Sequence, residues 1–466
     1  MCDSDNHARN NPSTAYLEAT EQLIAQRVAA VQTANAGAQA SLAEAYAGQD
    51  VLWKAASESA DAHRELAAHI VQDLHAHPET AFEEHRSMGM LADAVEQRGF
   101  PVRRGVYGVE TAFEAEWRSP NFDASSHPTV AIMAEYDALP GIGHGCGHNV
   151  IAAAGVGGFL SAVEALRKNG GVEGRLLLQG TPAEEGHSGK EYMIRGGSLD
   201  SVDAAMMIHG FGYDIGSHAW VGRRSVNVSF RGVAAHASSQ PFMGRNALDA
   251  ASLAYQGIGL MRQQMPPSDR VHAIMGGGAR PSVIPREASM HIYVRSLGNQ
   301  TLMDLSQRVN EIVEGAALMA GVQVDVEWDE HPMTLPVRNN EALVERWTRT
   351  QTLRGRTALP AGTVPETLAA STDFGNVSHL VPGIHPMVKV SPSDVALHTE
   401  DFARWAATDA AVDAAVDSAA GLAQVAIDYL ADMKMRAAAN AEFAEQGAVS
   451  VADLLAKSAT DWVPGR

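Results

Sequence analysis

Apolar and polar positions alternate along this chain with periods that change several times, and each change marks an element. From about residue 13 to 57 the sequence is rich in Ala, Gln and Glu at helical spacing, which predicts a helical N-terminal layer; residues 1–12 are polar and expected to be disordered. A second amphipathic pattern runs from Leu66 to Phe100, broken at Pro78. Short apolar runs follow at Thr129–Ala134, Arg175–Gly180 and Ala204–His209, with the helical stretch Val150–Lys168 among them. Buried strands alternating with helices predict a largely parallel α/β sheet.

The pattern then changes. Strand periodicity at Ser225–Phe230, Val271–Met275, Ala288–Arg295 and Val322–Trp328, with helical periodicity at Ala247–Gln264 and Leu302–Ala320, gives the order βαββαβ of a ferredoxin-like split unit. Such a unit placed between two α/β segments predicts a helical extension at 1–57, a discontinuous first domain at 58–222 and 335–466, and a second domain at 223–334. The chain from about 407 reads as Ala-rich helix, and 438–466 carries no legible role.

Composition narrows the partners. Lys and Arg number 35 against 55 Asp and Glu, a net charge of −20, which argues against nucleic acid or an anionic membrane and leaves a small metabolite. The chain has two cysteines, Cys2 and Cys146, so no disulfide framework is expected. The start lacks a basic and then apolar leader, and no uninterrupted apolar run reaches about 18 residues; a soluble cytoplasmic protein is expected.

Chemistry concentrates where strands end. Glu135-Tyr136-Asp137-Ala138-Leu139-Pro140 and Gly143-His144-Gly145-Cys146-Gly147-His148-Asn149 follow a buried strand, at the sheet edge where α/β proteins build sites. Cys146 and His148 are two apart, so in an extended segment both face one side, and thiolate with imidazole suits zinc and related ions. Glu184 and Glu185 also follow a strand, and adjacent carboxylates there are costly unless a cation holds them. Adjacent side chains diverge, so one could ligate while the other exchanges protons with water and faces the substrate. His209 ends the next strand, and His398 precedes a helical start.

These motifs, with Leu74-His75-Ala76-His77-Pro78-Glu79, Pro182-Ala183-Glu184-Glu185 and Leu397-His398-Thr399, resemble the M20 metallopeptidases over about Leu66 to Trp405. The resemblance is to their amidohydrolase branch, subfamily D, which holds aminobenzoyl-glutamate hydrolases, auxin-conjugate hydrolases and the M20-domain-containing protein 2 dipeptidases. It implies a di-metal α/β catalytic domain, its mostly parallel central sheet flanked by helices on both faces, with an inserted ferredoxin-like dimerisation lid, hence a homodimer. By motif, Cys146, His148, Glu185, His209 and His398 match the metal ligands, with Cys146 bridging two divalent ions. Glu184 matches the general base that takes a proton from the attacking water and returns it to the leaving nitrogen, and Asp137 matches the acidic residue that orients a ligand.

In the inserted unit, Gly232-Val233-Ala234-Ala235-His236-Ala237 resembles the lid motif whose His reaches across the dimer to the substrate. Pro281-Ser282-Val283-Ile284-Pro285 resembles a segment usually written with Asn, so Ser282 is a departure at a substrate contact. Arg295, at the end of a lid strand, is placed to pair with a substrate carboxylate. His75 and His77 fall in a segment that is a structural helix in the family. Asn149 and the run Ser371–Ser378 resemble the dipeptidase and aminobenzoyl-glutamate side of the branch.

The resulting expectation is a cytoplasmic, homodimeric hydrolase of an amide in a small dipeptide or N-acyl or N-aroyl amino acid. Two divalent ions per subunit are implied, zinc or manganese by residue type, with cobalt and nickel also compatible. The alternatives are a deaminase of an aromatic amine using the same site, without the H-x-E and P-C-x-x-C nucleobase-deaminase signature, and a non-catalytic metal-binding scaffold.

Overall fold

A computed structural model describes residues 13–35 and 51–461. Its larger sheet has six strands: β1 (Val102–Arg104), β2 (Phe113–Arg118), β3 (Thr129–Ala134), β4 (Arg175–Gly180), β5 (Ala204–Met206) and a later strand, β11 (Gly383–Ile384), in the order β1-β2-β4-β3-β5-β11. β4, β3, β5 and β11 run parallel, while β2 is antiparallel to β4 and β1 to β2. Every residue of β3 is buried, as a strand covered on both faces requires.

Among the described residues, four helices precede the parallel strands: α1 (Ala15–Asn35), α2 (Val51–Ala62), α3 (Arg64–Ala76) and α4 (His85–Glu96). α5 (His148–Asn169) makes the crossover from β3 to β4 and is buried along nearly its whole length. A Cβ at Gly155 would lie 2.9 Å from Ala134 Cβ, and one at Gly157 2.9 Å from Ala419 Cβ. Glycine therefore lets α5 approach the sheet on one side and α12 (Asp409–Ala431) on the other. α5 and α12 are long and apolar enough to span a membrane, yet the apolar window of α5 is 94% buried inside the protein and that of α12 83%.

The chain continues through α6 (Gly189–Arg195) and β6 (His209–Phe211) into a separate four-stranded sheet. Its elements are β7 (Gly222–Arg231), α7 (Ala247–Met261), β8 (Arg270–Gly277), β9 (Glu287–Ser296), α8 (Asn299–Ala320) and β10 (Gln323–Trp328). The order β10-β7-β9-β8, antiparallel throughout, is that of the split βαββαβ unit. Even-numbered residues of β7 and β9 such as Val226, Val228, Ile292 and Val294 join α7 and α8 in one apolar cluster, which leaves odd-numbered positions on the opposite face. Asn246 caps α7 by accepting the Leu248 N–H, and Gly321, at φ 66°, ends α8. The entering and leaving chains pair where the insert begins: Arg223 and Thr334 exchange backbone hydrogen bonds of 2.9 and 3.0 Å.

After the insert come α9 (Glu341–Leu353), α10 (Phe374–Ser378), β11, β12 (Met387–Lys389), α11 (Glu400–Trp405), α12, α13 (Met433–Gln446) and α14 (Val451–Asp461). Two expectations need correction. The strand expected over Ala204–His209 is two: β5 stays in the large sheet, and β6, which His209 opens, pairs with β12. Pro386, between β11 and β12, has no N–H to continue the ladder there. The end of the 335–466 segment does not remain with the first domain, because Val451, Leu454 and Leu455 of α14 pack into the apolar cluster of the insert. In the predicted N-terminal layer, helix occupies Ala15–Asn35 and Val51–Ala62; residues 1–12 and 36–50 lie outside the described residues.

Replacing Gly155 by Val should overpack the α5–β3 contact and cost about 1–3 kcal/mol. The shift in a chemical-denaturation midpoint measures it, and an unchanged midpoint would refute this account of the glycine.

Candidate metal centre

Loops at the carboxyl edge of the large sheet bring the candidate ligands together. The loop after β3 carries Asp137 and Cys146, and Gly147, at φ 78°, turns the chain so that His148 becomes the first residue of α5. The Cys-x-His pair is thus not an extended segment. A left-handed turn, which glycine adopts without strain, brings its two side chains to one side. Sγ of Cys146 lies 3.4 Å from Nε2 of His209. The loop before α11 brings His398, held by a 2.9 Å bond from its N–H to the Gly145 carbonyl, to within 3.5 Å of Oε1 of Glu185.

The loop after β4 is fixed at several points. Oε1 of Glu84 accepts the Ala183 N–H at 2.9 Å, Oδ2 of Asp137 accepts the Glu185 N–H at 2.9 Å, and Oδ2 of Asp373 accepts the Lys190 N–H at 2.8 Å. Nε2 of His148 then lies 3.9 Å from Glu184 and 4.0 Å from Glu185. Among the described residues, possible ligand atoms fall into three overlapping groups, each mutually within 4.8 Å: Cys146, His148 and His209; Cys146, Glu185 and His398; His148, Glu184 and Glu185. Cys146 belongs to two of them.

Hydrogen bonding orients the imidazoles. Nδ1 of His148 is 2.9 Å from the Asp137 carbonyl and 3.1 Å from Oδ1, and Nδ1 of His209 is 2.7 Å from the Gly210 carbonyl. Each Nδ1–H donates to these oxygens, so in the neutral ring Nε2 carries the lone pair and faces the cluster. Nε2 of His148 and Oε1 of Glu185 are buried without a hydrogen-bond partner, the condition expected of ligand atoms. Burial, then the Glu185 charge, pushes the Cys146 thiol up; burial with Glu135 and Glu185 likewise raises Glu184. Burial opposes ionisation of Asp137, but the His148 ring and the N–H groups of Glu185 and Glu184 outweigh it and hold that carboxyl low. A divalent cation is the charge this donor set lacks, and mixed S, N and O donors suit zinc or a neighbouring transition ion. The residues fit a metal.

The floor of the site contains groups that sequence reasoning missed. Lys190, fully buried, pairs with Glu135 and lies 2.7 Å from Oδ1 of Asp373, and the second oxygen of Glu135 is 3.6 Å from Nε2 of His148. Only the acidic Glu135, two residues before Asp137, offered a signal in the sequence; the link to Lys190 and Asp373 is tertiary.

A cavity of about 330 Å³ opens over the cluster. Cys146, Glu184, Glu185, His209 and His398 line it from the large domain, and Arg223 and Arg295 from the insert. His236 and Ser282 lie elsewhere. They are exposed neighbours on the insert, linked by the Ala237 N–H to Ser282 carbonyl bond of 3.0 Å, and neither borders this cavity within the chain. His75 and His77 belong to α3 and its end and are not among the ligand groups. His385 is buried behind His209, ring centres 5.7 Å apart, and Asn149 is a structural donor to the carbonyls of Val71 and Ala406.

Comparison with known proteins places this geometry. The model of the family described as peptidase family M20/M25/M40 matches residues 131–424. The chain is 34% identical over 389 residues to the Xaa-Arg dipeptidase of Mus musculus, covering 82% of this chain and 89% of that protein. It is 32% identical over 306 residues to one of the p-aminobenzoyl-glutamate hydrolase subunits of Escherichia coli strain K12, covering 60% of this chain and 61% of that one. The fold superposes on a dinuclear metal-binding peptidase of the M20 family from Bacillus subtilis with a TM-score of 0.57 at 19% identity, over 79% of this chain and 99% of that one.

Asp137→Asn should weaken metal retention about 10- to 100-fold, because it disturbs the groups that hold His148 and the Glu185 backbone. Competition with a chromogenic chelator reads the change, and unaltered affinity would remove Asp137 from this role.

Proposed function

The chain belongs to peptidase family M20/M25/M40 and is a hydrolase acting on amide bonds, and on that premise we propose that it cleaves a small dipeptide or an N-acyl or N-aroyl amino acid with Glu184 as general base and acid. The observation that carries this reading is the position of Glu184. Its carboxyl borders the cavity, 3.9 Å from a histidine of the candidate donor cluster, so it would face both an ion held there and a substrate in the cavity.

Cys146, His148, Glu185, His209 and His398 are the residues that would hold two divalent ions, zinc or manganese by donor type. When bound, such ions supply Lewis acidity toward water and the amide carbonyl. Glu184 accepts the proton of the attacking water at its carboxylate oxygen and delivers it to the departing nitrogen, which one carboxylate does if it stays beside both. Asp137 keeps His148 in the tautomer that presents Nε2. Arg295, whose Nε is buried without a partner, receives the carboxylate of the substrate.

His236 and Ser282 fit this scheme as groups that reach the cavity of a second copy. The edge strand β8 supports such a dimer: it has a neighbour on one side only and exposes Ile274 and Met275. A reducing cytoplasm suits a site that depends on the Cys146 thiolate.

Glu184→Ala should retain metal by elemental analysis yet lose about 10²–10⁴-fold in kcat, and chelation of the wild-type protein should abolish turnover. Mass spectrometry of the products is decisive: an acid plus an amine from water addition supports the reading, and ammonia without an acid product would indicate deamination. Ile274→Glu should yield a monomer by sedimentation with impaired hydrolysis; a variant that remains dimeric would displace β8 from the interface.

A further inference from the structure

Two arginines of the insert meet at the cavity with no acid to balance them. β7 and β9 pair in the register Arg223↔Arg295, and directly opposed residues of an antiparallel pair project from the same face. Tyr293 stands between them, its ring centre 5.2 Å from the Arg223 guanidinium carbon and 5.8 Å from that of Arg295. Arg223 is 7% exposed and reaches only neutral oxygens, the Gly186 carbonyl at 3.3 Å and the Ser188 hydroxyl at 3.5 Å. Neither arginine has a carboxylate within 4.0 Å among the described residues, although elsewhere the chain pairs its arginines freely, as in Arg224 with Asp329 at 2.7 Å. Arg270, opposite Arg295 on its other flank, turns back to the Asp269 carbonyl at 2.7 Å.

Opposed like charges on a sheet are destabilising, and burial removes the water that would screen them. Burial first, and Arg223 second, depress the Arg295 guanidinium. The pair thus stores a need for negative charge. The acids on the cavity wall, Glu184 and Glu185, belong to the metal cluster and do not meet it.

We propose that Arg223 is a specificity-determining residue: together with Arg295 it forms a subsite for two carboxylates, so the amine-side residue of the preferred substrate is acidic, aspartate or glutamate. Arg295 takes one carboxylate and Arg223 the other. The cavity accommodates a ligand of that size. A basic amine-side residue would place a third cation beside two unpaired guanidinium groups. This inference rests on the amide-hydrolase reading above and sharpens its substrate.

The test compares metal-loaded full-length protein on benzoyl conjugates of glutamate, glutamine, leucine and arginine, and measures binding of free glutamate, glutamine and arginine by calorimetry. The glutamate conjugate should exceed the glutamine conjugate at least tenfold in kcat/KM, mainly through KM, with arginine last. Arg223→Gln should shrink that glutamate-to-glutamine ratio at least tenfold, and Arg223→Lys should restore part of it. Equal turnover of the glutamine, leucine or arginine conjugates, or an equal loss on both substrates in Arg223→Gln, overturns the acidic subsite and leaves amide hydrolysis standing. If no conjugate is cleaved, the hydrolase assignment for such substrates fails, and calorimetry still decides the subsite: glutamate must bind at least tenfold tighter than glutamine, and parity overturns it.

Discussion

The structure depends on keeping carboxylates, a thiol and imidazoles together in a buried place where, without a cation, burial and the neighbouring carboxylates act against the charged acids. Cys146, Glu184 and Glu185 crowd around His148 and His209, and burial acts against the charged form of Cys146 and Glu184. A divalent ion would reverse that balance, provided the donors already point at one volume. Much of the surrounding structure serves that aim. Asp137 fixes a histidine tautomer and one loop backbone at once, Glu84 and Asp373 pin the same loop at either end, and buried Lys190 sits beneath with Glu135.

The parallel sheet makes this economical. Strands β3 and β4 end side by side, so two loops from one edge supply Asp137, Cys146, Glu184 and Glu185 within one site. α5 rises directly from the ligand loop and is held against β3 and α12 by glycine contacts, which gives His148 a rigid base. His209 arrives because the chain leaves the large sheet at Met207 and starts a second pairing, and His398 because its loop is tied to Gly145. Stability and ligand geometry are therefore the same contacts.

The insert contributes charge of the opposite sign. Its sheet buries one face under its own helices and presents the end of the other, with Arg223 and Arg295, to the cavity. The candidate donors and the arginines thus sit on different sheets, and the entering and leaving chains of the insert pair at Arg223 and Thr334. α13 packs with the large core and α14 with the insert, so the C-terminal chain spans the two beside that junction.

By itself the sequence determined the kinds of element, their order and the side chains able to bind a metal. Hydrophobic period reports which face of an element is buried, and strand ends rich in Gly, His, Cys and Glu stand out against it. The whole βαββαβ insert was legible for that reason, as were the candidate donors from Cys146 to His398 that the fold brings together. Only the tertiary structure decided what lies beside what: the turn at Gly147 that replaces an extended Cys-x-His, the break between β5 and β6, the buried Lys190 beneath the site, the placing of α14 on the insert, and Arg223 opposite Arg295. Those arrangements depend on strand register and packing between residues far apart in the chain, and a local period carries no information about a distant partner.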